Sequence, residues 1–142
     1  LGDDYPWEIL ATDISREVLA KARQGVYGKE RIDGVPREYL RRYFLHGIGS
    51  RAGTLRVVPE IRARVQFAEM NLNESLASAG EFDVVFLRNV LIYFDPPTKS
   101  EIVARVVGQI RRKGWLFIGH SESLNGITTA VRPERPTIYR KD

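Results

Sequence analysis

The stretch FDVVFLRNVLIYFD, Phe82 to Asp95, carries an apolar run of strand length that stops on Arg88 and Asn89 before apolar residues resume. Phe82, Val84, Val85, Phe86 and Leu87 read as a fully buried strand, because a continuous apolar run without alternation fits a sheet covered on both faces. A guanidinium beside an amide costs several kcal/mol if it is buried there without partners. The pair is tolerable where the strand ends and its side chains leave the core. In open α/β sheets the carboxyl ends of the strands are where ligands bind. The run therefore constrains the chain to a sheet whose strand ends face a crevice.

The rest of the chain fits that constraint. WEILATDIS gives a short strand through about Thr12, after which Ser15 caps a helix, REVLAKARQG, that ends at Gly25. PREYLRRYF, from Pro36, reads as a second short helix with proline in its first turn. From Tyr43 to Val65 the period changes to short β-branched runs separated by glycines, which predicts a small antiparallel hairpin. VQFAEMNL, from Val65, returns to a strand and FDVVFL is the next. Asp95-Pro96-Pro97 opens an amphipathic helix expected to run to about Arg112, with Gly114 marking its end. WLFIGH reads as a buried strand, and ITTAVR and TIYRK as an antiparallel edge joined through PERP. The succession predicts a doubly wound α/β sheet with an antiparallel end, in a single domain of 142 residues.

Composition narrows the chemistry. The chain has no cysteine, which excludes disulfides and thiolate metal sites, and its two histidines, His46 and His120, stand far apart in sequence. No apolar run approaches the roughly 18 residues of a membrane span, and the opening LGDDYPWEIL has no basic start followed by an apolar core. A soluble protein, most at home in a reducing cytoplasm, is expected. The net charge of +4 is regional: Arg16 to Arg64 holds 12 basic against 5 acidic side chains. Such a region attracts an acidic partner, whether nucleic acid, headgroups or an acidic protein surface, or is simply a solvated face.

Three strand ends carry the candidate site. Asp13 ends the first strand and suits either an acceptor for ribose hydroxyls or a cap for the helix that follows. Asn71 and Leu72 end the strand VQFAEM, where Asn71 alone reads equally well as a turn residue. Arg88 and Asn89 end FDVVFL, with Arg88 either in a site or in a structural ion pair. Two motifs are set aside. GIGSRAG, Gly47 to Gly53, has the glycine content of a phosphate loop but no helix follows it. DPPT, Asp95 to Thr98, lies beyond the strand end and lacks the aromatic of a nucleic-acid amino-methyltransferase motif, so Asp95 as helix cap explains it.

Together ATDIS, RYF, FDVVFLRNVLIYFD, GHSESL and the closing TIYRK resemble the chemotaxis receptor glutamate methyltransferases of the CheR type, nearly end to end. The resemblance implies a class I S-adenosylmethionine-dependent methyltransferase fold, a Rossmann-like α/β sheet, with a small antiparallel β-subdomain inserted at residues 43–65. It implies S-adenosyl-L-methionine as cofactor, S-adenosyl-L-homocysteine as product and no metal. The implied reaction is methyl transfer to glutamate side chains on the cytoplasmic helices of chemotaxis receptors. By motif, Asp13 binds the ribose, Asn71 and Leu72 lie beside the adenine, and Leu87, Arg88 and Asn89 line the methionine end. Arg88 and Tyr93 stand near the reacting centre, and Arg56, Arg62 and Arg64 serve receptor docking. Family members also have a helical N-terminal domain and a glycine-rich loop after a first strand, neither of which matches here, so residues 1–142 are expected to be a partial catalytic domain, truncated at its start, inactive alone and prone to self-association through open strand edges.

The implied chemistry makes physical sense of these residue types. A glutamate side chain, with a pKa near 4.3, is already ionised, so no general base is required. Attack on a sulfonium cancels charge, and the protein's part is to align reactants and exclude water. Arg88 suits a bidentate hold on a carboxylate, the cofactor's or the substrate's. A non-catalytic docking or cofactor-sensing module is the alternative of a different class. A nucleic-acid methyltransferase is disfavoured by the missing strand-end motif and the lack of interleaved aromatics for base stacking, so nucleic acid is not an expected partner.

Overall fold

A computed structural model describes residues 5–142. Leu1 to Asp4, which begin the stretch read above for a leader, lie outside the described residues. The chain divides into two compact units, one through Asn71 and one from Leu72.

The first unit opens with β1 (Ile9–Asp13) and α1 (Arg16–Gln24). Local chemistry fixes α1 at both ends. The Ser15 hydroxyl accepts the Val18 N–H at 3.3 Å, and Gly25 closes the helix at φ 60°, a left-handed turn that costs glycine nothing. The chain then forms β2 (Val26–Gly28), α2 (Arg37–Tyr43), β3 (Phe44–His46), β4 (Thr54–Val57), α3 (Pro59–Arg62) and β5 (Val65–Glu69). β1 and β5 pair in parallel, Ile9 opposite Val65 and Asp13 opposite Glu69.

The predicted hairpin is present but is one strand larger. β4 is central in a three-stranded antiparallel sheet of order β2-β4-β3, so Val26–Gly28 belongs to it, outside the 43–65 span, while Pro59–Arg62 at the far end of that span is helical. Three residues carry too little pattern to be read as a strand alone; pairing with β4 makes β2 one. GIGSRAG is the turn between β3 and β4, as its lack of a following helix suggested. A Cβ on Gly47 would lie 2.0 Å from the Arg51 carbonyl oxygen, so only glycine fits there. Pro36 sits at the cap of α2 rather than within its first turn.

The second unit contains β6 (Phe82–Leu87), α4 (Pro96–Gly108), β7 (Ile110–Ile118), β8 (Val131–Arg135) and β9 (Ile138–Lys141). The sheet order is β6-β7-β9-β8, with β6 and β7 parallel and the other pairs antiparallel. Ile102, Val103, Val106 and Val107 form a buried stripe on α4, and Ile110, Leu116 and Ile118 of β7 are buried with them. Each such side chain contributes about 1.5–3 kcal/mol by leaving water.

Three sequence expectations are corrected here. α4 ends at Gly108, not Arg112, because Ile110 already pairs with Phe82. The next pair is Val84 with Trp115, and Arg111 to Gly114 bulge between them with Lys113 at φ 64°. Lys141 braces the junction, donating from Nζ to the carbonyl of Val107 in the last turn of α4 at 2.8 Å and to that of Ile110 at the start of β7 at 2.6 Å. FDVVFL is not fully buried: Val84 and Phe86 are exposed, Phe86 stacking on Phe117 with centroids 4.9 Å apart, because β6 is an edge strand of its described sheet. In the last hairpin, Pro133 to Arg135 of PERP lie within β8 and the turn falls on Pro136 and Thr137, the latter at φ 64°.

Candidate active site

Parallel pairing in register brings β1 and β5 to an end together. The Met70 N–H donates to the Asp13 carbonyl at 3.1 Å, and Asn71 follows directly. Asp13 and Asn71 thus stand at the same end of the two-stranded sheet. Ser15, not Asp13, caps α1. The half-buried Asp13 carboxylate accepts the Ser15 N–H through Oδ1 at 2.7 Å, which fixes its direction, while no described residue meets Oδ2. Among the described residues one oxygen is anchored and the other is left to accept from a ligand's hydroxyl.

In the second unit Leu72 is half-buried and its carbonyl accepts from Arg105 at 3.1 Å; Arg105 is also paired with Glu101 at 2.9 Å. Leu87 is buried at the end of β6, and Arg88 and Asn89 emerge into solvent. Arg88 forms no ion pair or hydrogen bond among the described residues, so it is not held in a structural salt bridge. Asn89 adopts φ 58°, a conformation asparagine tolerates better than most non-glycine residues. Leu91–Tyr93 form one 3-10 turn in which Leu91 is buried and Tyr93 is 79% exposed. Arg88, Asn89 and Tyr93 therefore share one short segment.

What holds that segment is a residue the sequence reading passed over. The Glu122 carboxylate accepts four backbone N–H groups. Oε1 takes Val90 at 3.1 Å and Ile92 at 3.3 Å; Oε2 takes Asn89 at 3.0 Å and Gly119 at 2.6 Å. The signal lay in GHSES, where a single acid sits among small residues just past a buried strand, but nothing local shows which loop it serves.

The three arginines expected to dock a receptor, Arg56, Arg62 and Arg64, differ in surroundings. Arg56 is exposed, its Nε donating to the Gln24 carbonyl at 3.2 Å, and lines an open cleft of about 230 Å³ with Leu45, His46, Ile48 and Arg51. Arg62 lies under Gly25 and donates to the Arg23 carbonyl at 3.1 Å. Arg64 donates to the Tyr5 carbonyl at 3.2 Å and lies 5.1 Å over the Trp7 ring. Arg62 and Arg64 thus spend their guanidinium groups on their own unit. Among the described residues no His, Cys, Asp and Glu group could hold a metal ion, and no helix is long and apolar enough to cross a membrane.

Two strand ends with polar residues and an exposed arginine do not by themselves name a reaction. The family model described as CheR methyltransferase, SAM binding domain, matches residues 2–139. The chain belongs to the CheR methyltransferase family. It is 45% identical over 137 residues to chemotaxis protein methyltransferase 2 of Pseudomonas aeruginosa, covering 96% of this chain and 49% of that protein. Against the chemotaxis protein methyltransferase of Escherichia coli the identity is 40% over 134 residues, covering 94% and 47%. The chain spans about half the length of the curated relatives it matches. Among solved structures, the glycopeptide N-methyltransferase MtfA, complexed with S-adenosyl-L-methionine, matches with a TM-score of 0.50 at 16% identity over 94% of this chain and 49% of that one, a likeness of fold alone.

Membership in the CheR family makes residues 2–139 an S-adenosylmethionine-binding methyltransferase domain, and the likeness to MtfA is one of class I methyltransferase fold. Each unit, taken by itself, offers a group that fits that cofactor in kind: in the first, Asp13 is an oriented acceptor suited to a ribose diol; in the second, Arg88 is a guanidinium, with no partner among the described residues, suited to an amino-acid carboxylate.

Proposed function

We propose that the full protein transfers the methyl group of S-adenosylmethionine to glutamate carboxylates on the cytoplasmic helices of chemotaxis receptors, giving methyl esters, and that it works in the cytoplasm. The observation that carries this reading is Arg88: a guanidinium without a described partner, at the carboxyl end of a parallel strand, on a segment it shares with Asn89 and Tyr93. S-adenosylmethionine, when bound, supplies an electrophilic methyl on a sulfonium. Asp13 accepts from the ribose hydroxyls, Asn71 and Leu72 lie along the adenine, and Leu87, Arg88 and Asn89 hold the methionine end. A glutamate carboxylate needs no base at neutral pH, so the residues' work is orientation: Arg88 grips a carboxylate in two places and Tyr93 borders the reacting centre.

The cleft beside Arg51 and Arg56 is the proposed receptor-docking face. It combines apolar Leu45 and Ile48 with two exposed guanidinium groups, which suits an acidic, partly apolar segment of a receptor. Transfer of labelled methyl from S-adenosylmethionine to receptor-bearing membranes tests the activity. Label released by mild alkali supports it; label stable to alkali, or found on nucleic acid, defeats it.

A further inference from the structure

We propose that Glu122 is a positioning residue for methyl transfer, acting by holding the segment that presents Arg88, Asn89 and Tyr93. The inference rests on the proposed function for its effect on rate, and on geometry alone for its effect on the segment.

Past Leu87 the backbone turns with Asn89 at φ 58°, and the N–H groups of Asn89, Val90 and Ile92 all point to one place. Converging N–H groups make a concave site for an anion. Here the anion is internal. A carboxylate has about four lone-pair positions, and Glu122 meets four donors, counting Gly119. A water molecule has two acceptor positions and would leave half of these donors unmet. A glutamine has the same shape but fails too, since its amide nitrogen would face donors.

Glu122 is itself firmly based. Its own N–H donates to the Gly119 carbonyl at 3.0 Å, and two residues on Leu124, fully buried, donates its N–H to the Tyr139 hydroxyl at 3.2 Å. The acid thus joins the end of β7 to a loop whose one buried side chain is Leu91, while Arg88, Asn89, Ile92 and Tyr93 are exposed. Gly119 keeps the approach close. A Cβ there would lie 2.5 Å from Asn89 Oδ1 and 2.6 Å from Glu122 Oε2. A misplacement of about 1 Å at a reacting centre can cost on the order of a hundredfold in rate, so the anchor of this loop bears on catalysis without touching substrate.

The test uses the full-length protein and compares wild type, Glu122→Gln, Arg88→Ala and the double variant. Amide exchange in residues 88–93 should quicken about tenfold or more in Glu122→Gln while α4 and β7 keep their protection. The methyl-transfer rate should fall about 10- to 100-fold, and Glu122→Gln should add little to the loss already caused by Arg88→Ala, since both act through one segment. Unchanged exchange at 88–93 overturns the proposal. So does loss of protection throughout the unit with a normal rate per folded molecule, or a double variant whose loss is the product of the two single losses. If Glu122→Gln does not fold, Glu122→Asp, which keeps the charge on a shorter stem, should give an intermediate rate and intermediate exchange; wild-type values for both overturn the proposal. If wild-type protein labels no receptor, the functional reading fails, and the exchange comparison still decides whether Glu122 holds the segment.

Discussion

Arg88→Ala should separate activity from stability. Arg88 is exposed, so removing it breaks no hydrogen bond or ion pair among the described residues, and the stability change expected of such a surface site is within about 0.5 kcal/mol. For a domain of this size that is a shift in thermal midpoint of about 1–3 °C. The activity loss is of another order. Hydrogen bonds to charged groups contribute about 1.5–3 kcal/mol each, and a bidentate grip makes two. Because water takes up part of the vacated hydrogen bonding, the lower end of that sum, about 3–4 kcal/mol, is the fair figure, and at 1.36 kcal/mol per factor of ten it lowers kcat/KM by roughly 10²–10³. Arg88→Lys keeps the charge without the fork and should fall between. Methyl-transfer rate and thermal midpoint measured on the same preparation decide the matter. A fall in midpoint of about 5 °C or more with loss of soluble protein would mean that Arg88 supports the fold, and a near-normal rate would mean that it holds neither cofactor nor substrate.

Replacing Arg51 and Arg56 together by alanine should weaken receptor association about three- to tenfold at low salt, with the difference shrinking toward 1 M salt and cofactor affinity unchanged; an equal loss of cofactor affinity would refute a docking role. Arg62→Ala should instead lower the thermal midpoint, since its guanidinium serves the Arg23 carbonyl, and calorimetry on the variant reads this directly. Asp95 caps α4, its carboxylate accepting the Thr98 N–H at 2.9 Å, and that backbone bond, with the Thr98 side chain next, holds its pKa below the usual carboxylate value. A depressed folded pKa means that the stabilisation is fully present above the unfolded value, near 3.9, and disappears as pH falls through the lower folded one. Urea unfolding of wild type and Asp95→Ala should therefore differ at pH 7, with the gap beginning to close only as pH falls past about 4; a gap that widens on acidification would reverse the sign and refute the assignment.

The parts legible in the sequence are those fixed within a few residues. Ser15 and Gly25 bracket α1, Asp95 and Pro96 open α4, and the polar end of FDVVFL lies where its side chains leave the core. Features set by distant partners were not legible. The end of α4 depends on Phe82 pairing with Ile110 and on Lys141 reaching the Val107 carbonyl, neither of which leaves a local mark beside Gly108. Val26–Gly28 is a strand only because β4 lies alongside. Val84 and Phe86 carry the composition of a buried strand, but burial is decided by neighbours and not by the strand itself. In the candidate site, the polar residues at the strand ends could be picked out one by one, whereas Glu122 works across some thirty residues of chain, and a lone glutamate in a loop is otherwise unremarked.

Lys141 capping α4 has a consequence for the time course of synthesis. The helix is complete at Gly108, but the ammonium that meets the Val107 carbonyl in its last turn comes from 33 residues beyond that end. At about 5–20 residues per second the ribosome needs roughly 2–7 s to supply it. During that interval the Val107 and Ile110 carbonyls must rely on water, β7 lacks β9, and the apolar stripe of α4 has only part of its cover. The second unit is therefore a late folder on the ribosome, and slowing translation between Gly108 and Lys141 prolongs the exposure of Ile102, Val103 and Val106 to whatever binds apolar surface in the cell.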